Sequence, residues 1–225
     1  MKGIISIAPI ALFVALFAAQ ETFTIDRKYK VDEKDSYKVV AKLEMEQGQG
    51  DASMTVIQKI LKVHDNGDAD VEVSAADEKL MMGGEEHIEG FEDIILRVDK
   101  RGILMPLSSD EHGPLSGISL LMAASGFTDK VMKVGEEIKV DVEAKDGKPT
   151  VKGTIKLESL KDGVAKIVSQ CEVTSEEFDN ATFKMTATSL VDTATSKPNK
   201  IDLKCDFGAS AFEIKTITLS MERVK

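Results

Sequence analysis

The sequence predicts a mainly β fold: a curved antiparallel sheet or partly closed barrel, built from two similar meander units, with one buried central helix between them. Three observations predict it. Short segments of alternating apolar and polar residues recur from Phe23 to Val224, punctuated by Gly, Asn and Asp. Most carry Lys or Glu on one face and aliphatic residues on the other, the pattern of a sheet wetted on one side. The run from Pro114 to Phe127 breaks the alternation: Leu115, Ile118, Leu120, Leu121, Met122, Ala123 and Ala124 follow a 3.6-residue period with no polar stripe wide enough to face water. Gly113-Pro114 suits a helix start and Gly126 a left-handed C-terminal residue.

Residues 1–20 are read as a secretory signal peptide. Lys2 supplies the positive n-region, Ile4–Phe17 the apolar h-region, and Ala18-Ala19-Gln20 the small residues near a cleavage site. An uncleaved anchor is the rival reading, since a run of this length approaches a bilayer span. No cysteine follows the h-region to take a lipid. Residues 21–225 then form a single β-rich domain, with similar halves at 21–110 and 131–225 joined by the helical segment 114–127. The expected localisation is secreted or periplasmic.

Taken in order, Phe23-Thr24-Ile25 is extended, and Tyr37, Val39, Ala41, Leu43 and Met45 form the inward face of the first long strand. Gln47 to Asp51 reads as a turn. The strand Ala52–His64 runs into Asp65-Asn66-Gly67, a hairpin signal because Asn and Gly tolerate positive φ. Ala69, Val71 and Val73 face inward on the return. Leu80 to Gly84 and the acidic stretch Glu85 to Asp93 read as a loop. Ile94, Leu96 and Val98 lead into Asp99-Lys100-Arg101-Gly102, and Ile103, Met105 and Leu107 lead out, as a second hairpin.

In the second half, Met132 to Val140 resembles Tyr29 to Val39 with a two-residue gap. Leu157, Asp162-Gly163, Ala165 and Ile167 align with Leu61, Asn66-Gly67, Ala69 and Val71 at one offset. Thr182–Val191 and Ile201–Phe207, joined through residues 195–200, correspond to the Ile94–Leu107 hairpin. In the last strand, Phe212 and Ile214 lie on one parity and Ile217, Leu219 and Met221 on the other, which predicts a bulge between Ile214 and Ile217.

The formal charge is -10, and -11 for residues 21–225 once the single charge of Lys2 is removed. No basic cluster offsets it, which argues against nucleic acid and anionic lipid as partners. A transmembrane barrel lacks its aromatic girdles: the chain has no Trp and two Tyr. Cys171 shares a face with Ile167 and Val173, and Cys205 one with Ile201, Leu203 and Phe207. In an oxidising compartment these two inward cysteines either form a disulfide or pack as buried free thiols.

No nucleophile elbow or triad is visible. His64, His87 and His112 lie in separate segments, short of a zinc set, and Gly67 falls too early for a calcium loop, so no metal and no cofactor are expected. Paired carboxylates for sugar chemistry lack the aromatic lining that such clefts use. An enzyme is therefore not expected, and no catalytic residue is assigned. Methionine suits irregular or exchangeable apolar surfaces, which makes Met81, Met82, Met105, Ile118, Leu121 and Met122 the candidate ligand-binding residues, with plain core filling as the competing reading.

The signal, the β-meanders, the Lys133-Val134-Gly135-Glu136-Glu137 stretch and Leu157–Ile167 with its Asp162-Gly163 turn resemble uncharacterised secreted β-rich bacterial proteins. A curved sheet with an inner helix is also similar in plan to periplasmic lipoprotein carriers, at the level of architecture only. The signal, the lack of a catalytic motif and the methionine-rich apolar surface together lead to the expectation of an extracytoplasmic, non-enzymatic binding or carrier protein whose ligand is not identified by the sequence, a hydrophobic one being favoured. The alternative is a structural or protein-interaction module of the cell envelope with no small-molecule ligand. Either would bind no nucleic acid and would not be an integral membrane protein once the signal is removed.

Overall fold

The structure is a computed structural model that describes residues 21–83, 85–87, 92–105, 128–142, 150–175, 181–208 and 214–224. Fourteen strands are formed there: β1 (Thr22–Phe23), β2 (Lys34–Met45), β3 (Gly48–Val63), β4 (Ala69–Met82), β5 (Glu85–His87), β6 (Ile94–Val98), β7 (Leu104–Met105), β8 (Met132–Lys133), β9 (Glu137–Val142), β10 (Thr150–Lys161), β11 (Val164–Ser175), β12 (Ala181–Asp192), β13 (Pro198–Asp206) and β14 (Ile214–Val224). None of the described residues is helical. The expected helix over 114–127 lies outside them.

Twelve strands make one antiparallel sheet in the order β7-β6-β4-β3-β2-β14-β13-β12-β11-β10-β9, with β5 on the tip of β4, while β1 pairs with β8. The two expected meander blocks are thus halves of one sheet, joined where β2 pairs with β14 from Ser36↔Val224 to Met45↔Ile214. The path ends at β7 and β9, so the sheet is open and not a closed barrel.

Its curvature follows from the chain's own reach. β1 touches β10, and four residues past Phe23 the Arg27 N–H donates to Lys100 O, just after β6. Four extended residues cover at most about 14 Å, which leaves β10 and the end of β6 within roughly 30 Å. Eight strand steps of about 4.8 Å separate them along a flat sheet, about 38 Å. The sheet must curl towards its own edges.

Local chemistry explains most boundaries. Asp162 and Gly163, at φ 52° and 75°, form the two-residue turn between β10 and β11 that a right-twisted hairpin prefers. Gly67 takes φ 88° in the longer β3–β4 turn. The predicted bulge in the last strand is present as a register shift between Ile214 and Thr216. Two boundaries differ from expectation. The turn placed at 47–51 is only Glu46-Gln47, with Gly48 paired to Met45, because Gly48 and Gly50 are tolerated as strand residues opposite larger partners. The loop expected over 80–93 is partly strand: Leu80 to Met82 continue β4 and pair with β5, beyond a bulge where Asp77 takes φ 54°.

The halves share a turn. Asp32 N–H donates to Ile60 O at 2.9 Å and Glu33 N–H to Lys30 O at 3.1 Å; Gly135 N–H donates to Leu157 O at 2.8 Å and Glu136 N–H to Lys133 O at 3.0 Å. Both Asp32 and Gly135 have positive φ. Leu157 therefore matches Ile60, one position before the Leu61 of the sequence alignment.

Cross-strand register stacks the inner face into apolar rungs. Val39, Met221, Ile201, Ser189, Ile167 and Leu157 form one rung; Leu43, Ile217, Cys205, Met185, Cys171 and Gly153 form another. The inward phases expected for β2 and β4 hold at Tyr37, Val39, Ala69, Val71 and Val73, all buried.

Candidate functional site

The two ends of the sheet differ in chemistry. One end gathers the start of β2, the end of β14, the β6–β7 turn and the β12–β13 connection. Asp99 shapes the β6–β7 turn: its Oδ1 accepts from the N–H groups of Arg101 and Ile103, at 2.8 and 3.0 Å. Asp192 shapes the β12–β13 connection, accepting from the N–H groups of Ala194 and Thr195 at 2.9 and 2.8 Å. Burial works against its charge, but these bonds outweigh it and hold the carboxyl below the usual range.

Between these turns lies an ionic cluster with a buried centre. Lys197 Nζ sits 2.8 Å from Glu33 Oε1 and 2.5 Å from Asp35 Oδ2, and Asp35 Oδ1 also accepts from Arg223. Tyr29 OH donates to Asp99 O at 2.9 Å. Burial raises the Tyr29 phenol to about 12 against the opposing pull of Arg27, and burial likewise pushes Tyr37 upward. Glu33 Oε2 is buried without a hydrogen bond among the described residues. The charges are spent on one another: Lys197 and Asp35 are withdrawn from water, while Glu33 and Arg223 are partly exposed at the rim, so the cluster joins strands.

None of these residues was singled out by sequence reasoning. A signal existed: Asp35 and Arg223 sit on the inward parity of their strands, with Tyr37 and Val39, and with Leu219 and Met221. A charge on an inward phase needs a partner.

At the opposite end, along the rung through Met185, burial falls away. Met185 is 0% exposed and Cys205 2%, Ile217 and Leu43 are half-buried, and Met82, in register with Gly50 and Leu43, is 40% exposed. The inner face is dry around β10–β13 and opens at the tips of β2, β3 and β4.

The predicted ligand-binding residues are scattered by this arrangement. Met82 lies on the inner face at the open end. Met81, its neighbour, pairs with Asp51 and Glu86 and is on the outer face. Met105 pairs with Arg97, which pairs with Asp70, eleven residues along β4 from Met81 and on the order of 30 Å away. One groove cannot contain all three, since strand register separates residues that loops were expected to gather. Ile118, Leu121 and Met122 lie outside the described residues.

Cys171 and Cys205 are free and buried, so the disulfide alternative is corrected. Cys171 pairs with Met185 and Met185 with Cys205, which puts the thiols two strands apart, about 9–10 Å between Cα atoms and beyond bridging distance. Cys171 Sγ leans instead over Gly153, 2.9 Å from where a Cβ would stand. Burial pushes both thiols up, Cys205 to about 12.

Among the described residues no group of three or more His, Cys, Asp and Glu could hold a metal ion. His64 Nε2 lies 2.9 Å from Asp70 Oδ2, and His64, then Arg97, hold that carboxyl below the usual range. Nor is any helix of the described residues long and apolar enough to cross a membrane.

Fold and site together define a mainly β protein: one open, curled antiparallel sheet, sealed by an ionic cluster at one end and apolar and partly open at the other. No protein-family model matches the chain, and no curated protein matches it.

Proposed function

We propose that the protein is an extracytoplasmic, non-enzymatic binding or carrier protein that takes a hydrophobic ligand at the open end of its inner face. The observation that carries this reading is the burial gradient along one rung, from Met185 at 0% exposed to Met82 at 40%. An apolar face of a rigid sheet that is sealed at one end and accessible at the other offers a concave site with little polar surface to desolvate. The signal-like residues 1–20 support the compartment, and the charge of -10 supports a ligand that is not a polyanion.

Opposite faces at Met81 and Met82 make the test internal. With a fluorescent polyene fatty acid as probe, Met82→Glu should weaken binding about tenfold or more, while Met81→Glu leaves it unchanged. Equal effects, or no saturable binding by the parent protein, would sink the proposal. Native mass spectrometry of protein taken from the secreting cell should also show bound lipid. A bare mass would favour the alternative, an envelope interaction module, whose supporting observation is the dry packing of the rung through β10–β13.

Duplication of one meander unit is part of the same reading, supported by the matched turns at Asp32 and Gly135. Superposing the halves should place Ile60 on Leu157 as Asp32 falls on Gly135. A best fit that separates either pair would argue for convergent hairpins.

A further inference from the structure

We propose that the N-terminal strap from Glu21 to Tyr29 is a clasp that sets the curl of the sheet, with Arg27 as its pin. The strap is bonded to both halves. Val134 N–H donates to Glu21 O at 3.0 Å, Phe23 pairs with Met132, and Asp26 N–H donates to Ser196 Oγ at 3.2 Å. Arg27 then bonds in two directions: its N–H donates to Lys100 O at 2.7 Å and its Nε–H to Ser196 O at 3.1 Å.

Those two acceptors belong to distant parts of the sheet. Lys100 is in the β6–β7 turn and Ser196 in the β12–β13 connection, and β6 and β13 are five steps apart in the strand order. Five steps span about 24 Å when flat. An arginine backbone nitrogen and its Nε are at most roughly 6 Å apart, so the two carbonyls lie within about 12 Å of each other. One residue, through its backbone N–H and its side chain, thus holds together turns that a flat sheet would part.

The pin has a fitted seat. A Cβ at Gly102 would stand 1.9 Å from Arg27 Nη1 and 2.0 Å from its Cζ, so the guanidinium lies directly against the glycine backbone. Arg27 is itself buried, as is Gly102. Release would be local. The β12–β13 connection stays tied to β2 and β14 through Lys197, Asp35 and Arg223, whereas among the described residues the β6–β7 hairpin is an edge of the sheet, laddered to β4 at Ala69–Val73. The moving part is therefore the hairpin from Ile94 to Met105. The clasp stands independently of the carrier reading, because it concerns the end of the sheet remote from Met82.

Hydrogen exchange tests it. Arg27→Met removes the guanidinium, with its bond to Ser196 O and its seat on Gly102, and keeps an apolar stem and the backbone N–H to Lys100 O; Gly102→Ala keeps the guanidinium and fills its seat. Because Gly102 has φ 88°, Gly67→Ala, at the same φ with nothing within 4 Å, controls for backbone strain alone. Both clasp variants should speed exchange at the amides of Val98, Asp99 and Gly102 about tenfold or more, leave β11–β13 protected, and change the tyrosine fluorescence, to which Tyr29 and Tyr37 both contribute. Gly67→Ala should do none of this. No change in the hairpin overturns the proposal. So does an equal rise across all strands, which would make Arg27 part of the common core.

Discussion

Lys197 Nζ lies 2.5 Å from Asp35 Oδ2, and both side chains are almost fully withdrawn from water. The two residues are 162 positions apart, so this contact joins the first long strand of the chain to the connection between β12 and β13. Removing one member of such a pair leaves the other charge buried with fewer partners. Asp35→Asn should cost about 3 kcal/mol in urea unfolding. Combined with Lys197→Met, the loss should fall short of the sum of the singles by at least about 1 kcal/mol. Additive losses would mean that the two side chains do not interact.

Both tyrosines of the chain, Tyr29 and Tyr37, are at this end, and there is no Trp. Their ionisation reports the cluster without mutation. The unfolded phenol titrates near pH 10, and in the folded protein burial raises Tyr29 to about 12 and Tyr37 further still. The folded state then holds protons that the unfolded state has released. Stability from these groups is complete below about pH 10 and falls as pH rises towards 12, by up to about 1.4 kcal/mol per unit for each phenol. Absorbance at alkaline pH should show phenolate only as the protein unfolds; phenolate appearing near pH 10 in folded protein would contradict the burial of these rings.

The thiols supply a third test. Cys171 and Cys205 flank Met185 on one rung, and burial pushes the pKa of both thiols up. Neither should react with an aromatic disulfide reagent at pH 8 in folded protein, and both should react in guanidinium. Reductant should leave the melting temperature unchanged. Failure to find two reactive thiols in denatured, unreduced protein would show that they had paired.

Two glycines of the same inner rung should respond differently to one methyl group. At Gly153 a Cβ would stand 2.1 Å from Gln170 O and 2.6 Å from Cys171 Cα, both backbone atoms that cannot step aside. Gly153→Ala should cost about 2–3 kcal/mol by forcing β10 from β11. At Gly50 the nearest atom is 3.5 Å away, so Gly50→Ala should be neutral or stabilise by about 0.5 kcal/mol. Equal costs would count against the register of β10 on β11.

Much of the fold was legible because its determinants are local. The inward phase of β2 and β4, the hairpins at 65–67, 99–102 and 162–163, and the bulge near Ile214 follow from period-two burial and from residues that accept positive φ. The strand from Leu80 to Met82 was missed because two adjacent methionines followed by two glycines read as a loop, although the alternation simply resumes past the bulge at Asp77. The candidate site was less legible. Sequence marked methionines by type, but only register shows that Met82 faces inward and Met81 outward, and places Met105 level with the far end of β4 from them.

Alone, the sequence determined that the chain is β, where most of its hairpins turn and which residues of β2 and of the first part of β4 face the core, because alternation and turn chemistry act over a few residues. Only the tertiary structure decided that β14 closes on β2 to make one open sheet, that Cys171 and Cys205 stand apart with Met185 between them, and that Arg27, Asp35, Lys197 and Arg223 meet at one end. The reason is physical. A period of two tells a residue which face it belongs to, but nothing in it names the strand that will lie alongside.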